Sequence, residues 1–357
     1  MFYRQAGVFR TNYAATRALF LLPIERRFVG LLVAVACAAP FLFSSLTLGT
    51  YILPWLIMTS AALGLNLILG WAGQFHFGYA AIMGIGAYAS VHSARNGVPW
   101  ELAVVMGGLA ATVIGSTFAF AALRVKGLYL ALSTLALQFV VDWVISHVPM
   151  ISGGTQGTLQ APSLSLLGQP VRSEVTLYYV GLGWCVLVTI FMLNLRRTAL
   201  GRALVAVREK DYAAAVIGVN SLYYKLVAFA TSSFIGGVSG SVLVFAFYRA
   251  ATPEQFAVNV SIELLAMVIV GGVGSIIGSY FGAAFILLVP GLTNRFISTL
   301  AVMFDIPLGV ETLAHVPNAI YGALIITFLL IEPLGLGKLY SNVRDYFLVW
   351  PFGYVKK

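Results

Sequence analysis

Two glycine-rich segments of otherwise apolar sequence carry the residues that could do chemistry. Residues 63–90 read LGLNLILGWAGQFHFGYAAIMGIGAYAS and interleave glycines with polar side chains. In the second segment, Glu263 lies two turns before a further glycine cluster. Polar groups at membrane depth usually face a protein interior or a path, and glycine permits a helix break or close packing of backbones. The predicted translocation path is lined by Asn66, Gly70, Gly73, Gln74, Glu263, Gly271 and Gly274. For each single glycine, simple helix packing is the alternative, and for Glu263 the alternative is a contact that holds helices together.

The two segments also resemble each other. Ile68–Gln74 reads ILGWAGQ, and Ile269–Ser275 reads IVGGVGS. Paired glycine-interrupted segments mark the central site of many transporters. A true internal repeat and chance both account for so short a match.

Composition indicates a membrane protein. Of the 357 residues, 60% are hydrophobic and 9% are charged, and the mean hydropathy is +0.93. Ordinary soluble domains do not have this composition. At roughly 20 residues per span, the chain is predicted to be an all-α polytopic protein with about ten transmembrane helices. The predicted spans are 28–43, 51–69, 75–94, 102–123, 128–148, 177–195, 226–248, 260–274, 275–292 and 317–331.

These spans divide the chain into three parts. A basic leader covers residues 1–27, the transmembrane domain covers 28–335, and a tail covers 336–357. A charged segment, residues 196–225, separates the sixth and seventh spans.

The net charge of +9 is explained by topology. With the N-terminus inside, the outer loops hold few of the 21 Lys and Arg residues, namely Arg95, Arg172, Arg249 and Arg295. Basic residues are enriched in cytoplasmic loops. We therefore expect both termini in the cytoplasm, contact with membrane lipid, and no nucleic-acid partner.

The charged segment is itself a candidate site. Residues 198–225 read TALGRALVAVREKDYAAAVIGVNSLYYK, with apolar residues at helical spacing and a stop at Gly218. A short amphipathic helix in a loop must lie on the membrane surface or dock on a partner. A basic loop that only fixes topology is the alternative. Ala213 and Ala214 favour docking, because small side chains permit close approach.

The sequence lacks the means to hydrolyse ATP. Its nearest approach to a phosphate-binding loop, Gly335–Lys338, has neither the required spacing nor the hydroxyl residue that binds magnesium. The chain is therefore predicted not to be an enzyme, with no catalytic, cofactor or metal site of its own.

Five blocks of the sequence, in order, resemble the LivM-type permease subunits of branched-chain amino acid ABC importers, in the LivH/LivM permease family. The blocks are GLNLILGWAGQFHFGYAAIMGIGAYA, LRVKGLYLALSTLALQ, ISGGTQG, LGRALVAVREKDYAAAVIGVN and SIELLAMVIVGGVGSIIGSYFGA. The resemblance covers about residues 51–335. It implies a bacterial inner-membrane permease that works by alternating access.

The same resemblance implies partners and a docking site. The partners are a second permease subunit (LivH-type, or a second copy), two cytoplasmic ATPase subunits that bind ATP and magnesium, and a periplasmic solute-binding protein. The segment that couples to an ATPase would run from Arg202 to Gly218. Its candidate residues are Arg202, Arg208, Glu209, Ala213, Ala214 and Gly218. The general importer pattern has Glu where this chain has Tyr212, so Glu209 or Asp211 could make the polar contact instead.

The resemblance leaves the substrate open. Branched-chain or other hydrophobic amino acids are expected, but related permeases that resemble this chain carry urea, short amides or small carboxylates. A secondary transporter should show several intramembrane carboxylates, and a passive channel would need no docking helix. Both stay as alternatives of another class.

Overall fold

The computed structural model describes residues 23–124, 127–153, 158–166, 169–171, 173–303, 319–320, 322–328, 330 and 332–349. Most of the predicted leader, the end of the tail and part of the tenth predicted span lie outside these ranges. The side of the membrane on which each terminus lies therefore stays a prediction.

Helices dominate the described residues. They are α1 Pro23–Leu42, α2 Ser45–Trp71, α3 Tyr79–Arg95, α4 Trp100–Ala122, α5 Leu128–His147, α6 Pro149–Ser152, α7 Glu174–Leu195, α8 Ala199–Glu209, α9 Asp211–Val216, α10 Ser221–Tyr248, α11 Val258–Gly271, α12 Ile276–Met303 and α13 Leu336–Val349. Residues 319–320, 322–328 and 330 are also helical. A 3₁₀ turn, Pro253–Phe256, precedes α11.

Short strands form two antiparallel pairs. β1 (Leu159–Gln160) pairs with β4 (Ala250–Ala251), in the register Leu159 opposite Ala251. β2 (Ser165–Leu166) pairs with β3 (Gln169–Pro170).

Seven helical segments of the described chain are long and apolar enough to cross a membrane. They are α2, α4, α5, α7, α10, α11 with its preceding 3₁₀ turn, and α12. The apolar part of α1 (Val29–Leu42) is shorter, and α3 has 17 residues. The all-α polytopic class is thus confirmed, whereas the count of ten spans stays a prediction. α12 also continues past its predicted end at residue 292 to Met303.

The core is centred on α10, which packs against α2, α3 and α4. Small residues bring these helices together: a Cβ atom at Gly86 of α3 would lie 2.6 Å from the carbonyl carbon of Gly237 in α10. At the same crossing, Ser241 Oγ donates to the carbonyl oxygen of Gly86 at 3.0 Å. Membrane helices have little hydrophobic drive to associate, so close packing and such bonds hold them together.

The charged segment forms two helices where the sequence predicts one. Lys210 is extended (φ −152°, ψ 97°) and separates α8 from α9. Asp211, in the first turn of α9, pairs with Lys225 Nζ of α10 at 3.2 Å. This pair, together with the favourable placement of an acid at a helix N-terminus, fixes the start of α9 against α10.

Candidate functional site

The end of α2 and the turn between α11 and α12 meet inside the protein. We call residues 66–74 and 271–275 together the glycine junction. The last turn of α2, Leu67–Trp71, is a π-helix. Gly73 (φ 67°) and Gly274 (φ 84°) then adopt left-handed backbone conformations. Because a Cβ atom makes this region costly, glycine is the natural residue at both positions.

Asn66 fastens the two halves of the glycine junction. Its amide nitrogen donates to the carbonyl oxygen of Ser275 at 3.0 Å and to Ser279 Oγ at 2.9 Å, and its amide oxygen accepts from the Gly274 nitrogen at 2.7 Å. The side chain is buried and its polar atoms are satisfied. Trp71 Nε1 adds a bond of 3.3 Å to the Gly274 carbonyl oxygen.

Close backbone approach explains two of the candidate glycines. A Cβ atom at Gly70 would overlap Asn66 Oδ1 and lie 2.6 Å from Gly274 Cα. A Cβ atom at Gly271 would overlap the carbonyl oxygen of Gly278 in α12. The structure thus brings Asn66, Gly70 and Gly274 into contact.

Arg208 of α8 reaches into the glycine junction. Its Nη1 donates to the carbonyl oxygen of Gly70 at 2.5 Å, while Nη2 and Nε donate to Glu209 Oε1 at 2.6 and 3.2 Å. In a regular α-helix the Gln74 nitrogen would bond this Gly70 oxygen, but it donates to Ile68 at 3.1 Å. Arg208 therefore takes a place left open by the irregular end of α2. Sequence reasoning assigned Arg208 and Gly70 to different sites.

A cavity of about 210 Å³ opens beside Arg208. Its lining includes Gly73 and the polar side chains of Gln74, Arg208, Asp211 and Lys225. Two candidates for the path, Gly73 and Gln74, thus share one cavity with a candidate for coupling.

Glu263 lies elsewhere, on the outer surface of α11. It is exposed, as are Asn259, Ile262 and Ile269. These positions recur at helical spacing and form one stripe, which we call the α11 stripe. The structure does not bring Glu263 together with Asn66.

The other coupling candidates divide between two faces. Ala214 is buried against the protein, whereas Glu209, Ala213 and Gly218 are exposed. Arg202 is exposed too, and its Nη1 donates to the carbonyl oxygen of Arg197 at 2.8 Å.

Sequence reasoning missed the apolar residues that surround the exposed candidates. Tyr212, Val216 and Ile217 of the α9 region are 82%, 87% and 75% exposed. We call these three residues with Ala213 the α9 face. The positions 212, 213 and 216 share one side of a helix, which is the signal that could have identified them.

Buried polar groups also hold the start of α3, which sequence reasoning did not single out. The Ala80 nitrogen donates to Ser261 Oγ at 2.8 Å, and the Ala81 nitrogen donates to Gln138 Oε1 at 2.9 Å. The first N–H groups of a helix have no partner within it, so a buried helix start needs such acceptors. Polar residues inside predicted spans, such as Gln138, were the available signal.

Fold and site together define a multi-pass helical membrane protein whose buried glycine junction is tied to a charged segment between two spans. The sequence of residues 47–331 matches the family described as branched-chain amino acid transport system / permease component. This match covers more than half of the chain, so the chain belongs to that family, as the sequence predicted.

Three curated relatives support this assignment. The high-affinity branched-chain amino acid transport system permease proteins LivM of Salmonella typhimurium and Escherichia coli are each 30% identical over a match length of 278 residues. The match covers 70% of this chain and 64% of theirs. The chain therefore spans a little under two thirds of these relatives. A probable branched-chain amino acid transport permease protein LivM of Methanocaldococcus jannaschii is 24% identical over 235 residues, 66% of this chain and 67% of its own.

One solved structure has a weaker similarity. It is described as PsaBC from Streptococcus pneumoniae in complex with Fab, and it has 11% identity and a TM-score of 0.42 over 87% of this chain and 99% of that one. A similarity at this level says nothing further about fold or function.

Proposed function

We propose that this chain is the permease subunit of an ATP-binding-cassette importer in the inner membrane of a bacterium. It moves branched-chain or other hydrophobic amino acids, delivered by a periplasmic binding protein, into the cytoplasm by alternating access. Two cytoplasmic ATPase subunits bind ATP and magnesium and supply the energy. A LivH-type permease or a second copy of this chain completes the membrane part. Family membership over residues 47–331 and the names of the relatives support this proposal.

The observation that carries the proposal is the two-sided structure of the α8–α9 segment. ATP hydrolysis outside the membrane drives transport only if motion of the ATPase reaches the membrane helices. On one side, Arg208 bonds the glycine junction; on the other, the α9 face is exposed. A passive channel or a secondary transporter has no need for such a segment.

The α11 stripe supports a path at the surface of this chain. An ionisable side chain at the centre of a membrane helix costs about 2.5–3.5 kcal/mol or more when it meets lipid. Glu263 is mid-span and exposed on this chain, so a second permease or a water-filled path must cover it. We therefore place the translocation path between the two permease subunits, with Glu263 on its wall.

Reconstitution tests this function. The chain is co-expressed with its second permease and ATPase subunits and reconstituted into vesicles. The binding protein is supplied on the periplasmic face and ATP on the cytoplasmic face. Uptake of radiolabelled leucine should require both ATP and binding protein, and valine should compete. Uptake driven by a proton or sodium gradient without ATP would contradict the proposal. Competition by urea, a short amide or a small carboxylate instead of valine would change the substrate class.

The same vesicles test the place of Glu263. Glu263→Gln removes the charge with little change in volume, and it should lower leucine uptake at unchanged subunit assembly. Glu254→Gln is the matched control, because Glu254 is an exposed carboxylate in the 3₁₀ turn before α11. Equal uptake by the two variants would remove Glu263 from the path.

A further inference from the structure

We propose that Arg208 is the positioning residue that transmits motion of the α8–α9 segment to the glycine junction. The proposal rests on the function proposed above. It assigns Arg208 a role within the membrane part of the importer, rather than a contact with the ATPase.

The geometry of the guanidinium group supports this role. One nitrogen, Nη1, bonds the Gly70 oxygen, while Nε and Nη2 bond Glu209 on the same helix. The planar guanidinium group of arginine can donate to Gly70 and to Glu209 at the same time in a fixed geometry. An ion pair this exposed adds little stability, with 36% of the Arg208 side chain accessible, so the bond to Gly70 is the contact that matters.

The bond to Gly70 leads directly into the rest of the glycine junction. Gly70 packs against Asn66, whose side chain bonds Gly274 and Ser275 in the turn between α11 and α12. A displacement of α8 therefore acts on the end of α2 and on the end of α11 together. The π-helical turn at the end of α2 favours such movement, since π-turns break the regular hydrogen-bond ladder and are frequent at functional sites.

Other cations of the charged segment bond elsewhere. Arg202 donates to the Arg197 carbonyl oxygen within its own loop, and Lys225 pairs with Asp211. Of these three cations, Arg208 is the one that bonds the glycine junction.

The test compares Arg208→Ala, Arg208→Lys and a control in the reconstituted importer. The control is Arg344→Ala, because Arg344 in α13 also pairs with the next residue, Asp345, at 3.1 Å on an exposed surface. Three quantities are measured: ATPase subunit retained on purification, ATP hydrolysis stimulated by the binding protein, and leucine taken up per ATP hydrolysed.

We expect Arg208→Ala to retain the ATPase and to hydrolyse ATP, while uptake per ATP falls about tenfold, the loss expected for one charge-assisted hydrogen bond. Arg208→Lys should recover part of the ratio, since lysine can still donate to the Gly70 oxygen. Arg344→Ala should match the wild type.

Two results would overturn the role of Arg208 while leaving the importer function intact. One is a wild-type ratio of uptake to ATP in both Arg208 variants. The other is loss of the ATPase on purification of both variants, which would place Arg208 on the docking surface. Failure of the wild type itself to couple ATP to uptake would instead contradict the proposed function, and this proposal with it.

Discussion

Other atoms of the glycine junction fill the space that a side chain at Gly70 would need. If a Cβ atom were added to Gly70 with ideal geometry, it would lie 2.5 Å from the Gly274 nitrogen and 2.6 Å from Gly274 Cα. Backbone at a tight turn cannot move aside as a flexible side chain can. A methyl group at Gly70 would therefore have to push α2 away from the turn between α11 and α12.

Replacement of Gly70 by alanine should destabilise the protein by about 1–3 kcal/mol, the usual cost of overpacking. Gly183→Ala is the control, because nothing lies within 4 Å of a Cβ there and alanine favours the α7 helix. Thermal unfolding midpoints of both variants in detergent provide the comparison. Equal midpoints would mean that Gly70 is not a close contact.

At this scale the sequence showed which residues are unusual for an apolar segment, but not which atoms they contact. Asn66, Gly70 and Gly274 stand out because polar groups and clustered glycines are unusual in apolar segments. Their contact with one another could not be predicted, since about 200 residues separate the two halves. The bond from Arg208 was equally hidden, because it depends on a carbonyl group left open where α2 ends.

In the α8–α9 segment, the periodicity of apolar residues predicts the amphipathic helix but not the point where it breaks. Apolar spacing predicted an amphipathic helix, and α8 indeed buries Leu204 and Val207. The break at Lys210 was not predicted, and the pair between Asp211 and Lys225 beside it is a tertiary contact that periodicity does not report. The break turns α9 so that Ala214 faces inward, and substitutions at Ala214 would disturb this packing before any docking.

The α9 face is the better place to test docking. Val216→Glu with Ile217→Glu adds charge to an exposed apolar surface, so retention of the ATPase on purification should fall about tenfold, as for a central interface residue. Met150→Glu is the control, because Met150 is equally exposed but lies away from α9. Its neighbour Ile151 contacts His92, near the C-terminal end of α3, through its carbonyl oxygen. Full ATPase retention by the double variant would exclude the α9 face as the docking surface.

At the scale of the whole molecule, hydropathy predicted the helical class and most of its long helices, whereas the direction that charge indicates for them stays a prediction. Helix lengths follow from the bilayer, so apolar runs locate them well. Neighbours do not follow from hydropathy: the packing of α10 on α2, α3 and α4 depends on small residues that match only in three dimensions.

The direction of the chain can be tested by cysteine labelling. In a Cys37→Ser background, which removes the exposed native thiol, Met150→Cys and Asn342→Cys each place one thiol on an exposed site. When the inner membrane is intact, a membrane-impermeant maleimide added from outside should label residue 150. It should label residue 342 only after permeabilisation. Labelling of both from the same side would mean a miscounted span, and labelling of residue 342 in intact membranes would contradict a cytoplasmic tail.

The bonds of Asn66 also have a consequence for biosynthesis. Its partners Gly274, Ser275 and Ser279 follow it by 208, 209 and 213 residues. At about 5–20 residues per second, a ribosome needs roughly 10–40 s to make that intervening chain. Throughout this interval the side-chain amide of Asn66 is without the partners that it bonds in the folded protein. Water or the insertion machinery must hold that amide until α12 arrives, which makes the pairing of α2 with α12 a late step in assembly.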